Sequence, residues 1–254
     1  MYLLVFGFAE NARVLFLYSA IFCKLEEVSS QLLARSCGEP RSSQKSEERN
    51  NEIRTTMALD QLLWLEGIDT SMAFRPADEL VMSCGTVTLD LARGKVLLIW
   101  NRQHQIHQLP KGRRNIDESM LSAAIRETFE ETGIHVTPLQ LNIATRATPP
   151  ADEQTKDGKN PQITEGRPST EFLGVCIYPD PQSDTPALKA VFYFAATADS
   201  TVTPQSGTQE DWEKLDTVWV PISEVAGKLR FNGEIAAVQK AVEDVRKTGY
   251  TIGG

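Results

Sequence analysis

Apolar positions in the middle of the chain recur at a spacing of two. In "GTVTLD" (85–90), Val87 and Leu89 fall on one face and Thr86 and Thr88 on the other, which predicts a half-buried strand. "KVLLIW" (95–100) reads as its hairpin partner, with "LARG" turning between them. Three further short runs rich in β-branched and aromatic residues predict strands: "LQLNIATR" (139–146), "FLGVCIYPD" (172–180) and "ALKAVFYFAAT" (187–197). Towards the C-terminus, "DTVWVPISEVAGKLRFNGEIAAVQKAVEDVRKTG" reads as one more strand and two helices. Ser223 is the expected cap of the first; Ile235, Val238, Val242 and Val245 form an apolar stripe on the second, and Gly249 ends it.

One segment changes period. In "LPKGRRNIDESMLSAAIRETFEETGIHV" (109–136), Met120, Leu121, Ala124, Ile125 and Thr128 supply the buried side of a helix that begins near Asp117–Ser119 and stops at Gly133. The pattern as a whole is α/β, with helices packed on a mixed sheet and no internal repeat.

Outside this region the chain reads differently. The first residues contain two apolar runs, 2–9 and 14–23, interrupted by Glu10, Asn11 and Arg13. No basic residue precedes the first run, and neither reaches the 18 or so apolar residues of a spanning helix, so a packed or poorly ordered extension is expected before secretion or membrane insertion. "SCGEPRSSQKSEERNNEIR" (36–54) reads as a polar linker. Residues 1–56 are thus an extension with linker, and 57–254 one folded domain. The loop near 147–171 is too long for a mere connection: it is either a substrate-facing flap or a solvated insertion.

A net charge of −8 argues against a broad nucleic-acid-binding surface, so phosphate recognition must be local. The four cysteines, Cys23, Cys37, Cys84 and Cys176, form no Cys-x-x-Cys pair, which points to a reduced, cytoplasmic protein rather than a disulfide framework or zinc site. His104, His107 and His135 form no ligand set.

The predicted helix carries the chemistry. Glu127 and Glu130 are three apart and Glu127 and Glu131 four apart, so the carboxylates share a face and repel. Arg126 can pair with Glu130, which accounts for one carboxylate but not the cluster. Oxygen ligands at this density suit a hard divalent cation such as Mg²⁺ or Mn²⁺.

Gly112, Glu118 and then Arg126-Glu127-Thr128-Phe129-Glu130-Glu131-Thr132-Gly133-Ile134 resemble the Nudix box, G-x5-E-x7-R-E-U-x-E-E-x-G-U. Thr128 departs from it, standing where a bulky aliphatic residue (U) is preferred, and its methyl is expected to face the core. The resemblance implies a Nudix α/β/α sandwich with a mixed β-sheet and a metal-dependent pyrophosphohydrolase. By position it implies Glu127, Glu130 and Glu131 as metal-binding and catalytic carboxylates, with Glu127 favoured as the base. Gly112 would give a backbone ligand, and Glu118, Arg126 and Gly133 would hold the motif in register. A later "Glu, five residues, Trp" spacing, Glu213 to Trp219, is similar to that of members adding a further carboxylate; Glu210 and Asp211 compete for that role. Lys111, Arg113 and Arg114 bracket Gly112 and are expected to bind substrate phosphate.

"LPKG", "KAVFYF" and the Glu213–Trp219 spacing resemble the branch acting on diadenosine polyphosphates and diphosphoinositol polyphosphates. Arg113 and Arg114 tilt the expectation towards the second. The Tyr that the dinucleotide enzymes carry beyond the box is replaced by Pro150, Ala151 and Asp152, and Pro149 falls where ADP-ribose hydrolases carry a Pro. A small phosphorylated substrate is the expected partner, with no stable nucleic-acid or membrane partner. A hydrolase of ADP-ribose or another nucleoside diphosphate, or a ligand-binding domain without catalysis, are the alternatives.

Overall fold

The computed structural model describes residues 61–150, 163–181, 183–210 and 212–253. The extension and linker read over 1–56, and the centre of the 147–171 loop, lie outside these. The chain divides into two compact units, 1–73 and 74–254. In the first, residues 61–71 are helical. No helix among the described residues is long and apolar enough to cross a membrane.

The second unit is built on one mixed sheet. Its strands are β1 (Leu80–Asp90), β2 (Lys95–Asn101), β3 (Ile106–Gln108), β4 (Lys111–Arg113), β5 (Thr137–Pro138), β6 (Gly174–Pro179), β7 (Leu188–Thr197) and β8 (Leu215–Pro221). The helices are α1 (Met120–Thr132), α2 (Val225–Lys228) and α3 (Asn232–Thr248). β1 runs parallel to β7 over its whole length, from Leu80↔Leu188 to Leu89↔Thr197. Its other edge is shared: β2 pairs antiparallel at Leu89↔Val96, while β4 pairs antiparallel at Ser83↔Arg113, Cys84↔Gly112 and Gly85↔Lys111. That division delivers Lys111-Gly112-Arg113 to the sheet centre beside α1.

Helices cover both faces. Val87, Leu89, Val191, Tyr193 and Ala195 pack with Val238, Ala241, Val242 and Val245 of α3. On the opposite face Cys84 and Phe194 pack with Ala123 and Ala124 of α1, whose small side chains let the helix approach closely. The α/β/α sandwich follows. The half-buried strand expected at 85–90 is therefore corrected: Thr86 and Thr88 are as fully buried as Val87 and Leu89. Their hydroxyls make this tolerable through a chain of bonds. Thr128 Oγ1 donates to Ala124 O (2.7 Å), so it accepts from Thr86 Oγ1 (2.8 Å), which in turn accepts from Thr88 Oγ1 (2.7 Å). The departure at Thr128 is thus matched by threonines on the strand beneath it.

Two local expectations also change. Residues 139–146 form no strand; Leu141↔Ser169 and Thr145↔Thr164 are isolated bridges. The alternation there arises because Leu139, Leu141 and Ile143 all point into the core from an extended segment without a neighbouring ladder. Ser223 caps nothing: it lies inside a 3-10 turn, Ile222–Glu224, and Val225 N–H already donates to Ile222 O. The stripe on α3 is present, with Val238, Val242 and Val245 buried and Ile235 partly so, and the helix ends at Gly249.

Candidate active site

The site is assembled around α1. Ser119 Oγ accepts from Ser122 N–H (3.2 Å) and caps the N-terminus. Gly133 ends the helix in the left-handed conformation (φ 68°), its N–H donating to Phe129 O. A Cβ at Gly133 would overlap the backbone of Gln205, whose N–H donates to Gly133 O (2.9 Å), so both the turn and the close approach demand glycine.

Arg126 holds the acidic face together. Its Nε and Nη2 donate to the two oxygens of Glu118 (2.9 and 2.8 Å), Nη1 donates to Glu127 Oε1 and Glu130 Oε2 (2.7 Å each), and Nη2 also reaches Arg113 O (3.0 Å). One guanidinium thus ties the helix to β4 and to the loop between them. Glu118 also accepts from Asn115 N–H (3.0 Å). The bonds from Arg126 hold the Glu118 carboxyl below its ordinary range, despite some burial, and those carboxylates hold the Arg126 proton still more firmly than usual.

Glu131 lies in a different environment. It is 7% exposed, and its Oε2 accepts from Lys111 N–H (2.7 Å). Burial pushes its carboxyl up to about 8; Lys111 opposes that, while Glu213 and Glu127 add to it. Glu127 is also raised by burial, with Arg126 pulling the other way. Gly112 faces Glu127 so closely that a Cβ there would overlap the carboxylate, so only a glycine leaves that oxygen its place. Among the described residues, no three acidic, imidazole or thiol side chains converge as a ready-made metal cluster.

The chain matches the family described as NUDIX domain over residues 82–239. It belongs to the Nudix family. Pyrophosphate hydrolysis is the general activity which that membership supports, on small phosphorylated substrates. Among solved structures, an Ap4A hydrolase of C. elegans in a binary complex is 17% identical, with a TM-score of 0.45, covering 66% of this chain and 98% of its own. A NUDIX hydrolase from Nitrosomonas europaea is 17% identical (TM-score 0.39; 68% of this chain and 92% of that one). A MutT NUDIX hydrolase from Burkholderia pseudomallei is also 17% identical (TM-score 0.39; 63% and 97%). No match was found among curated protein sequences.

Around the Nudix helix the other expected residues fall into place unequally. Lys111 lies beside Glu131, and Arg113 is largely exposed, with Nη2 3.7 Å from Asp180 Oδ2. Arg114 is engaged elsewhere, donating from Nη1 to Glu118 O (2.7 Å). Glu213 is half-buried, and its carboxyl is raised first by burial and further by Glu210 and Glu130. Its Oε2 accepts from Glu210 N–H (3.3 Å). Glu210 is exposed, and Asp211 lies outside the described residues.

Sequence reasoning missed three contributors. Lys189, opposite Tyr178 on β6, is driven down by burial, with Lys111 and Arg113 nearby pushing the same way and Asp180 and Glu131 opposing. "KAVFYF" reads as a strand and as part of a branch resemblance, with no role given to its lysine. Gln209 donates from Nε2 to Glu131 O (2.9 Å) and Leu215 O (3.0 Å) and accepts from Leu215 N–H (3.3 Å). Glu234, near the start of α3, accepts from Tyr193 OH (3.2 Å) and is pushed by burial to about 7.

Proposed function

We propose that this Nudix domain hydrolyses the diphosphate linkage of a polyphosphorylated small molecule, with a diphosphoinositol polyphosphate or a dinucleoside polyphosphate as the substrate class. The supporting observation is the juxtaposition at β4: the buried Glu131 accepts from Lys111 N–H and the half-buried Glu127 faces Gly112, with Lys189 and Arg113 near Lys111.

The donors fit Mg²⁺ or Mn²⁺. They are all hard oxygens, and Gly112 leaves backbone, not side chain, against Glu127. Glu127, Glu130, Glu131 and the Gly112 carbonyl would hold the cation, with Glu213 a further carboxylate. Such an ion supplies charge neutralisation of the diphosphate and a more acidic water at neutral pH. The residues of the chain do the rest. Lys111, Arg113 and the desolvated Lys189 bind the anionic oxygens and orient the linkage for in-line attack. Glu127 accepts the proton of the attacking water at Oε2, the oxygen turned to Gly112, because Oε1 already accepts from Arg126. Arg126 and Glu118 keep Glu127 and the loop in register.

A cytoplasmic location is part of this proposal, resting on the lack of any Cys-x-x-Cys pair in the sequence. The test of the reading is a panel of diphosphoinositol polyphosphates, diadenosine polyphosphates, ADP-ribose, dNTPs and capped RNA with Mg²⁺, products identified. Cleavage strongest on the first two classes is the expected result. Preference for ADP-ribose would move the substrate class, and failure on all five with cation binding intact would leave a ligand-binding domain.

A further inference from the structure

The last turn of a helix leaves carbonyls without partners. At the end of α1 the segment before β8 and β8 itself satisfy three in succession: Thr208 Oγ1 donates to Glu130 O (2.9 Å), Gln209 Nε2 to Glu131 O (2.9 Å) and Thr217 Oγ1, within β8, to Thr132 O (2.8 Å). Of these, Gln209 does more than cap. Its second donation, to Leu215 O (3.0 Å), and its acceptance from Leu215 N–H (3.3 Å) close the turn between 209 and 215, so a single side-chain amide fixes both ends of that turn to the backbone of Glu131.

The turn so closed carries Glu213. Glu213 approaches Glu127, Glu130 and Glu131, all of its own charge sign, and Lys111 is the cation opposing that repulsion. Left to electrostatics, the turn would swing Glu213 out into water. We infer that Gln209 is a positioning residue that holds Glu213 against the carboxylates of α1, registering the turn directly on Glu131. This rests on the reading above that Glu213 serves the diphosphate site.

A double-mutant cycle tests it. Wild type, Gln209→Leu, Glu213→Gln and the double variant are compared by hydrolysis rate, by Mn²⁺ affinity in the absence of substrate, and by hydrogen exchange at the Leu215 amide. Gln209→Leu is expected to lower kcat by about 100-fold with KM nearly unchanged, the scale of a small misplacement of a reacting group. It should also weaken Mn²⁺ binding and free the Leu215 amide. Glu213→Gln should reproduce the first two of these losses, in rate and Mn²⁺ affinity, and leave Leu215 protected; the double variant should be no worse than Glu213→Gln in rate and Mn²⁺ affinity. Full additivity in the double variant, or a freed Leu215 amide with unchanged Mn²⁺ affinity, would overturn the inference. If Gln209→Leu does not fold, Gln209→Glu keeps an acceptor for Leu215 N–H while losing both donations, and carries the same expectations for rate and Mn²⁺ affinity with Leu215 still protected; unchanged Mn²⁺ affinity in that variant would equally overturn the inference. Should wild type cleave no diphosphate at all, the functional reading falls, and Mn²⁺ affinity with Leu215 exchange still decides the role of Gln209.

Discussion

Glu118 and Glu131 belong to one motif and lie on opposite sides of the same economy of charge. Glu118 receives both nitrogens of a guanidinium and a backbone N–H, and its charged form is favoured. Glu131 is buried with one backbone N–H for its charge, beside other carboxylates, and its charged form is disfavoured up to about 8. The first arrangement is what a strut requires, since a saturated ion has nothing left to bind. The second is costly for folding and is retained where something else will meet the charge. Arg126 draws the boundary, spending its donors on Glu118, Glu127, Glu130 and the Arg113 carbonyl and giving none to Glu131.

The contrast can be broken from either side. Glu131→Gln should lower the hydrolysis rate by at least about 100-fold while the circular dichroism spectrum and thermal midpoint of the metal-free protein hold or rise, because a disfavoured charge has been removed. Arg126→Met should act in the opposite sense, lowering stability in urea by about 2–3 kcal/mol by leaving three carboxylates without their cation. Equal loss of stability in both variants would mean that Glu118 and Glu131 do not differ in this way.

Glu234 sharpens the comparison, being buried like Glu131 but outside the motif, with Oε2 lacking a hydrogen-bond partner. Its native pKa near 7 exceeds the ordinary carboxyl value of 4.5, so between those values the native state binds the extra proton. Stability from this group is therefore greatest below about pH 4.5 and is lost as pH rises through about 7. Glu234→Gln should flatten that slope and gain roughly 1–3 kcal/mol at pH 8 in urea titrations. The smallest effect is expected at Thr128→Val, which interrupts the hydroxyl chain to Thr86 and Thr88 and should cost about 1 kcal/mol.

The same contrast explains what could be read from the chain. The limits of α1, its Gly133 stop and the β1–β2 hairpin follow from short-range periodicity and caps, and they are where the sequence places them. β3 and β4, three residues each, are too short to show a period, although β4 brings Gly112 to Glu127. The alternation of 139–146 was a true signal of burial without the ladder that would make it a strand. Thr86 and Thr88 looked solvent-facing because what satisfies their hydroxyls is an acceptor on the covering helix, Thr128 Oγ1, a match between residues 42 apart. Gln209 reaches Glu131 across 78 residues, and no local pattern announces a clamp of that kind.

On the proposed reading the costly carboxylates of α1 meet a divalent cation at a diphosphate. The rate of diphosphate cleavage by the wild-type protein, as Mg²⁺ is titrated in and then removed by chelation, tests this. The expected result is saturable activation, loss on chelation and recovery when Mg²⁺ is restored. Cleavage at an unchanged rate in the chelator would contradict it.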